Sequence, residues 1–216
     1  ILKPDSIEFS GTTGQNSRLS MRTWIPFNLT RNKWITGFQP SLKLSYTRNY
    51  YYYQDEEALK PGMTLIEPRV FFYTTRKRAI RDLQPKWGLV FDAYAITSPF
   101  EDEQLGTNSS IRTTFYTPGL FRNHGVRMKA SFQKQKPGKY IFNNILDFPR
   151  GYEPIISEKL QSYTFEYHMP LLYPDLDLFS LAYIKRIRTT LFTDYIEGEK
   201  MYTLVNGEYR LSSGSI

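Results

Sequence analysis

The sequence predicts an all-β chain, folded as an antiparallel transmembrane β-barrel. Three observations carry this. Apolar and polar residues alternate with a period of two along most of the chain, the alternating runs are long, and the connections between them are short and long in turn. Successive side chains on a strand point to opposite faces, so such alternation marks a sheet with one apolar and one polar face.

The first run sets Leu19, Met21, Ile25 and Phe27 against Arg18, Ser20 and Arg22. In 34–47, Trp34, Phe38, Leu42, Leu44 and Tyr46 oppose Gln39, Ser41, Lys43 and Ser45. In 126–133, Val126, Met128, Ala130 and Phe132 oppose Arg127, Lys129, Ser131 and Gln133. In 162–171, Tyr163, Phe165, Tyr167, Met169 and Leu171 oppose Thr164, Glu166 and His168. Further strands are expected at 65–76, 86–97, 110–117, 179–194 and 201–212, and no stretch has the period of an amphipathic helix.

A strand of about ten residues, tilted near 45°, covers roughly the 25 Å apolar band of an outer-membrane barrel. Trp24, Trp34, Tyr46, the tyrosine run 50–53, Trp87, Tyr163 and Tyr195 are expected near strand ends, where interfacial aromatic girdles lie. The connections "FNLTRNKW", "TRKRAIRDLQPKW", "TPGLFRNHGV" and "PLLYPDLDLF" are compact. Those containing "YYYYQDEEALKPG", "SPFEDEQLGTNSS", "KPGKYIFNNILDFPRGYEPIISEK" and "DYIEGEKM" are longer. Short turns at one rim and long loops at the other are the layout of outer-membrane barrels.

Charge follows the same division. The acids at 55–57 and 101–103, with Glu197 and Glu199, are expected on the long-loop rim. Arg76, Lys77, Arg78, Arg81, Lys86, Arg122 and Arg127 are expected at or near the short-turn rim. Pro26, Pro118 and Pro170 mark short-turn ends of strands, where a missing ladder hydrogen bond matters least.

Composition narrows the classes. The chain has 216 residues, 40% hydrophobic and 16% aromatic, and its mean hydropathy is −0.48. No stretch reaches the roughly 20 apolar residues of a membrane-spanning helix. No cysteine is present, which excludes zinc–thiolate sites, and two scattered histidines suggest no metal cage. The net charge of +7 is spread over aromatic-rich strands and does not point to nucleic acid. "ILKPDSIEFS" has neither a basic start nor an apolar core, so no signal peptide is read, and the expectation is a fragment of a longer chain, lacking barrel strands at both ends. No catalytic constellation can be assembled, so no enzyme activity and no cofactor are expected.

"FPRGYEP", "SYTFEYHMPLLYPDL" and "LAYIKRIRTTLFTDY" together resemble the C-terminal barrel of the BamA/TamA/FhaC superfamily of outer-membrane assembly and secretion factors, the bacterial surface antigen family. The resemblance is specific over about 119–196. It implies a single barrel domain over 1–216, about strands five or six to fourteen of a sixteen-strand barrel, with a long loop at 134–161 folded into the lumen. It implies that Arg150, Gly151 and Tyr152 form the loop tip, that Glu166 and Asp194 are the acidic partners of Arg150, and that Phe192 is the aromatic two residues before Asp194. Two positions depart from the family pattern: Pro149 replaces valine or isoleucine, and Ile196 replaces glycine.

Strand parity bears on this. If Tyr163, Phe165, Tyr167 and Met169 face lipid, Glu166 faces the lumen. If Leu181, Tyr183, Ile187 and Leu191 face lipid, Arg186, Arg188 and Asp194 face inward. The implied function is assembly and insertion of outer-membrane proteins, or polypeptide translocation. Outer-membrane lipid and lipopolysaccharide, unfolded clients and periplasmic or lipoprotein subunits would be the partners. The competing expectations are a passive barrel, serving as anchor or small-solute pore for another domain, and a soluble β-sandwich with its apolar face turned inward.

Overall fold

Alternation this regular can be satisfied only by strands, and the computed structural model has twelve strands and no helix among the residues it describes. Those are residues 17–48, 63–79, 81–98, 100, 106–137, 142, 144–146, 148–151, 156–178, 182–205 and 208–211. The strands are β1 (Ser17–Trp24), β2 (Phe27–Asn28), β3 (Trp34–Arg48), β4 (Met63–Arg76), β5 (Gly88–Thr97), β6 (Gly106–Pro118), β7 (Gly125–Pro137), β8 (Ile156–Leu172), β9 (Leu176–Leu178), β10 (Ala182–Ile184), β11 (Ile187–Val205) and β12 (Glu208–Leu211).

Ten of them form one antiparallel sheet in the order β1-β3-β4-β5-β6-β7-β8-β11-β12, with β2 beside β1 on the same edge of β3. β1 and β12 do not pair, so the sheet is open. Sequential strands of this sheet pair, except that the β9–β10 hairpin is inserted between β8 and β11. β1 and β2 are two halves of one strand. Trp24 pairs with Ser41 and Phe27 with Phe38, and the ladder breaks between them, where Pro26 and Pro40 both lack an N–H.

The register sorts side chains by polarity. One face carries Leu44, Val70, Ile111, Phe115, Phe132, Phe165 and Leu191, all exposed. The other carries Ser45, Glu67, Asp92, Ser131, Gln133 and Glu166, all buried. Among the described residues the buried hydrophobic side chains are Leu65, Leu146, Ile156 and Leu160. Buried polar residues outnumber them, the reverse of a water-soluble core.

Several elements differ from the sequence reading. "DYIEGEKM" is no loop: β11 runs through it to Val205, placing Glu197 and Glu199 on a strand. Val205 pairs with Glu208, so only Asn206 and Gly207 join β11 to β12. The strand expected at 179–194 is split. Its first part pairs with β9 in a separate two-stranded hairpin inside the connection expected to be compact, and β11 opens with a register shift between Ile187 and Arg188. The shift leaves Leu171 of β8 unpaired, and Lys185 and Arg186 lie outside any strand between β10 and β11, so parity cannot be carried back from Leu191 to Tyr183. Tyr163 and Tyr195 are paired with each other inside β8 and β11, away from the strand ends. The tyrosine run 50–53, the acids at 55–57 and 101–103, Tyr152 and Leu181 lie outside the described residues.

Candidate functional site

Glu166 occupies the polar face of β8. Its cross-strand neighbours on that face are Arg127 of β7 and Phe192 of β11. Two residues along β11, Asp194 shares the face, opposite Thr164. These positions follow from register alone, and they place an acid, a base and an aromatic ring side by side before any loop arrives.

The described residues of the loop between β7 and β8 meet this face at Gln133 and at Glu166. Gln133 holds its first part: the Gln133 Oε1 accepts from the N–H groups of Ile145 at 2.7 Å and Leu146 at 3.3 Å, and its Nε2 donates to the Asn144 side chain at 2.9 Å. Leu146 and Pro149 are buried beneath. Gly151 has φ of +88°, a conformation that glycine adopts without strain, and a Cβ there would meet nothing within 4 Å.

At the loop tip, the Arg150 Nη2 donates to the Glu166 Oε1. Its Nε lies 3.9 Å from the Asp194 Oδ2, and its backbone N–H donates to that same oxygen at 3.4 Å. The guanidinium carbon stands 4.0 Å from the centroid of the Phe192 ring. A planar guanidinium can hold two carboxylates and a ring face together, and a lysine ammonium cannot.

Glu166 is only 1% exposed and has further partners that the sequence reading did not assign. The Arg127 Nη2 lies 2.6 Å from its Oε2, and the His168 Nε2 lies 3.0 Å from that oxygen, while His168 Nδ1 meets the Thr190 hydroxyl at 3.0 Å. Arg127, expected near the short-turn rim, is therefore part of the Glu166 cluster. Shared parity with Glu166 across the β7–β8 register was the signal for it.

The same face carries two more paired acids. Glu67 accepts from Lys43 at 2.6 Å and from the Tyr94 hydroxyl at 2.6 Å, with Arg18 at 3.7 Å. Asp92 takes both Nε and Nη2 of Arg69, at 2.7 and 2.9 Å, and Nη2 of Arg112 at 2.5 Å. Each of these carboxylates is held by cations from neighbouring strands. Among the described residues no group of three or more His, Cys, Asp or Glu is placed to hold a metal ion.

At the short-turn end, the connection between β4 and β5 reaches across to distant strands. The Tyr173 hydroxyl donates to the carbonyl of Arg81 at 3.2 Å, and the Arg81 guanidinium lies 5.9 Å from the Tyr173 ring centroid. A Cβ at Gly125 would sit 2.3 Å from the Gln84 side chain, so the glycine admits that connection against the start of β7. The crossing leaves a cleft of about 470 Å³ lined by Ile35, Lys77, Arg78, Ala79, Asp82 and Arg186.

No protein-family model matches the chain, and neither a curated protein nor a solved structure is significantly similar to it.

Proposed function

We propose that this chain is the transmembrane barrel portion of an outer-membrane factor that assembles or inserts proteins, or translocates polypeptides, with its long loop locked inside the lumen. The observation that carries the reading is the contact of Arg150 with Glu166 and Asp194 on a sheltered polar face, behind which the reverse face is apolar and exposed. An exposed apolar face needs a cover, and lipid covers it along every strand at once. The polar face then lines a lumen, where ionised side chains are ordinary.

In this reading the described strands belong to a barrel of about sixteen, since lipid tolerates no open sheet edge. The mechanism involves no bond chemistry. Such a barrel lowers the barrier to client insertion through a weak seam and a locally thinned bilayer, or passes a chain through its lumen, while the Arg150 loop braces the wall. The motif order and the resemblance noted in the sequence favour this over a passive pore, because a loop pinned across the lumen obstructs free solute passage.

The test uses Arg150→Ala and Glu166→Lys in the full-length protein, read by heat-modifiable gel mobility and by client insertion into vesicles. Both variants are expected to lose the folded band at lower temperature and to insert client more slowly. Wild-type behaviour in both assays, for both variants, would defeat the lock.

A further inference from the structure

Basic residues gather at the short-turn end well beyond what solubility requires. Arg31 and Lys33, Arg76, Lys77 and Arg78, Arg81 and Lys86, Arg122, and Lys185, Arg186 and Arg188 lie there, against Asp82, Asp175 and Asp177. Asp82 also lines the cleft, and its carboxylate is taken up within its own connection, accepting from the N–H of Ala79 at 3.1 Å with Lys86 at 3.8 Å. Lys77, Arg78 and Arg186 make no ion pair among the described residues, and they meet at the cleft. They come from two connections far apart in sequence, brought together by the crossing of the β4–β5 turn. Two of the three tryptophans sit at the same end: Trp34 opens β3 opposite Arg76, and Trp87 directly precedes β5 and accepts from the N–H of Arg76, each about half exposed, whereas Trp24, opposite Ser41, lies at mid-height of the sheet.

From this arrangement we infer that the short-turn rim binds anionic phospholipid, and that the cleft between Lys77, Arg78 and Arg186 seats the headgroup phosphate. The inference rests on the membrane reading above and adds a ligand to it. Cations without acidic partners supply the attraction, and guanidinium groups pair with phosphate oxygens through two donors. Tryptophans settle at the level of lipid headgroups, and Trp34 and Trp87 lie at the level of these charges. A soluble anion would account for the cations alone. A lipid accounts for the cations, the tryptophans and the exposed apolar face that begins at the same level.

The full-length protein, reconstituted in phosphatidylcholine vesicles holding a minority of phosphatidylglycerol and then extracted in mild detergent, is expected to retain phosphatidylglycerol above its share of the bilayer. Lys77→Gln, Arg78→Gln and Arg186→Gln together should cut that enrichment about tenfold or more. Lys134→Gln, Lys136→Gln and Lys159→Gln remove the same charge near the long-loop end and should leave it intact. Raising salt toward 1 M, where screening shortens to about 3 Å, should weaken it in the wild type.

Equal retention of both lipids, or equal loss in both triple variants, overturns the inference while leaving the membrane reading standing. Saturable binding of inorganic phosphate or of an acidic peptide by the detergent-solubilised protein, without lipid enrichment, also overturns it. Failure of the protein to insert into vesicles removes the membrane reading and this inference together.

Discussion

Glu166 shows how one buried carboxylate can be shared. Arg127 holds it from the neighbouring strand and Arg150 from the loop, on different oxygens, so removing one arginine leaves the charge compensated by the other. Removing both leaves an ionised group 1% exposed with only His168 beside it. Stranding a buried charge costs about 3–5 kcal/mol. Arg127→Gln and Arg150→Gln should therefore destabilise modestly alone and more than additively together, with a coupling of about 0.5–3 kcal/mol. A double-mutant cycle by denaturant titration reads this directly. Additive losses would mean that the two arginines do not share the carboxylate. Asp194 adds a weaker second hold, at 3.9 Å from the guanidinium, and Phe192 supplies the ring face.

The β7–β8 loop depends on a different residue for its path. Gln133 satisfies two backbone N–H groups and one side chain of the loop from its position on β7, while Arg150 fixes only the tip. Gln133→Ala should free the segment near Ile145 and Leu146 without touching the sheet, since no strand hydrogen bond is lost. Limited proteolysis in the long loop should quicken several-fold, with unchanged strand content by circular dichroism. Unaltered cleavage would show that burial of Leu146 and Pro149 suffices. The elements themselves were legible where alternation was unbroken: β3, β4, β6, β7 and β8 contain the runs read from sequence, extended by one to several residues, while β5 begins two residues inside the run expected at 86–97. The reading failed where period two was interrupted. The break at Lys185 and Arg186, outside any strand, hid the true start of β11, and "DYIEGEKM", rich in charge, resembles a loop although it continues a strand. The Asn206-Gly207 pair, a strong two-residue hairpin signal between alternating runs, was the overlooked cue for its end. Gln133 could be placed on the polar face from sequence, but its partners depend on how the loop folds back, which periodicity does not encode.

Across the whole molecule, polarity is inverted: the exposed side of the sheet is apolar and the sheltered side carries the charges. A sheet in water and a sheet in lipid answer differently to a charge added on that exposed face. Ile111 lies at the middle of β6 and is 47% exposed, and Thr117 is on the same face near the short-turn end. For a water-exposed site, Ile111→Arg should change stability by no more than about 0.5 kcal/mol. At the midplane of a bilayer the same change costs about 2–4 kcal/mol, falling to about 0–1 near the interface. The membrane reading therefore requires a gradient along one strand: a large loss for Ile111→Arg and a small one for Thr117→Arg, with the folded protein in vesicles and unfolding followed in denaturant. Neither residue touches the Glu166 cluster, so the loop and its lock are not disturbed by the comparison. Small, equal effects at both sites would mean that water or protein covers this face, and the exposed apolar surface would then have to be a protein interface.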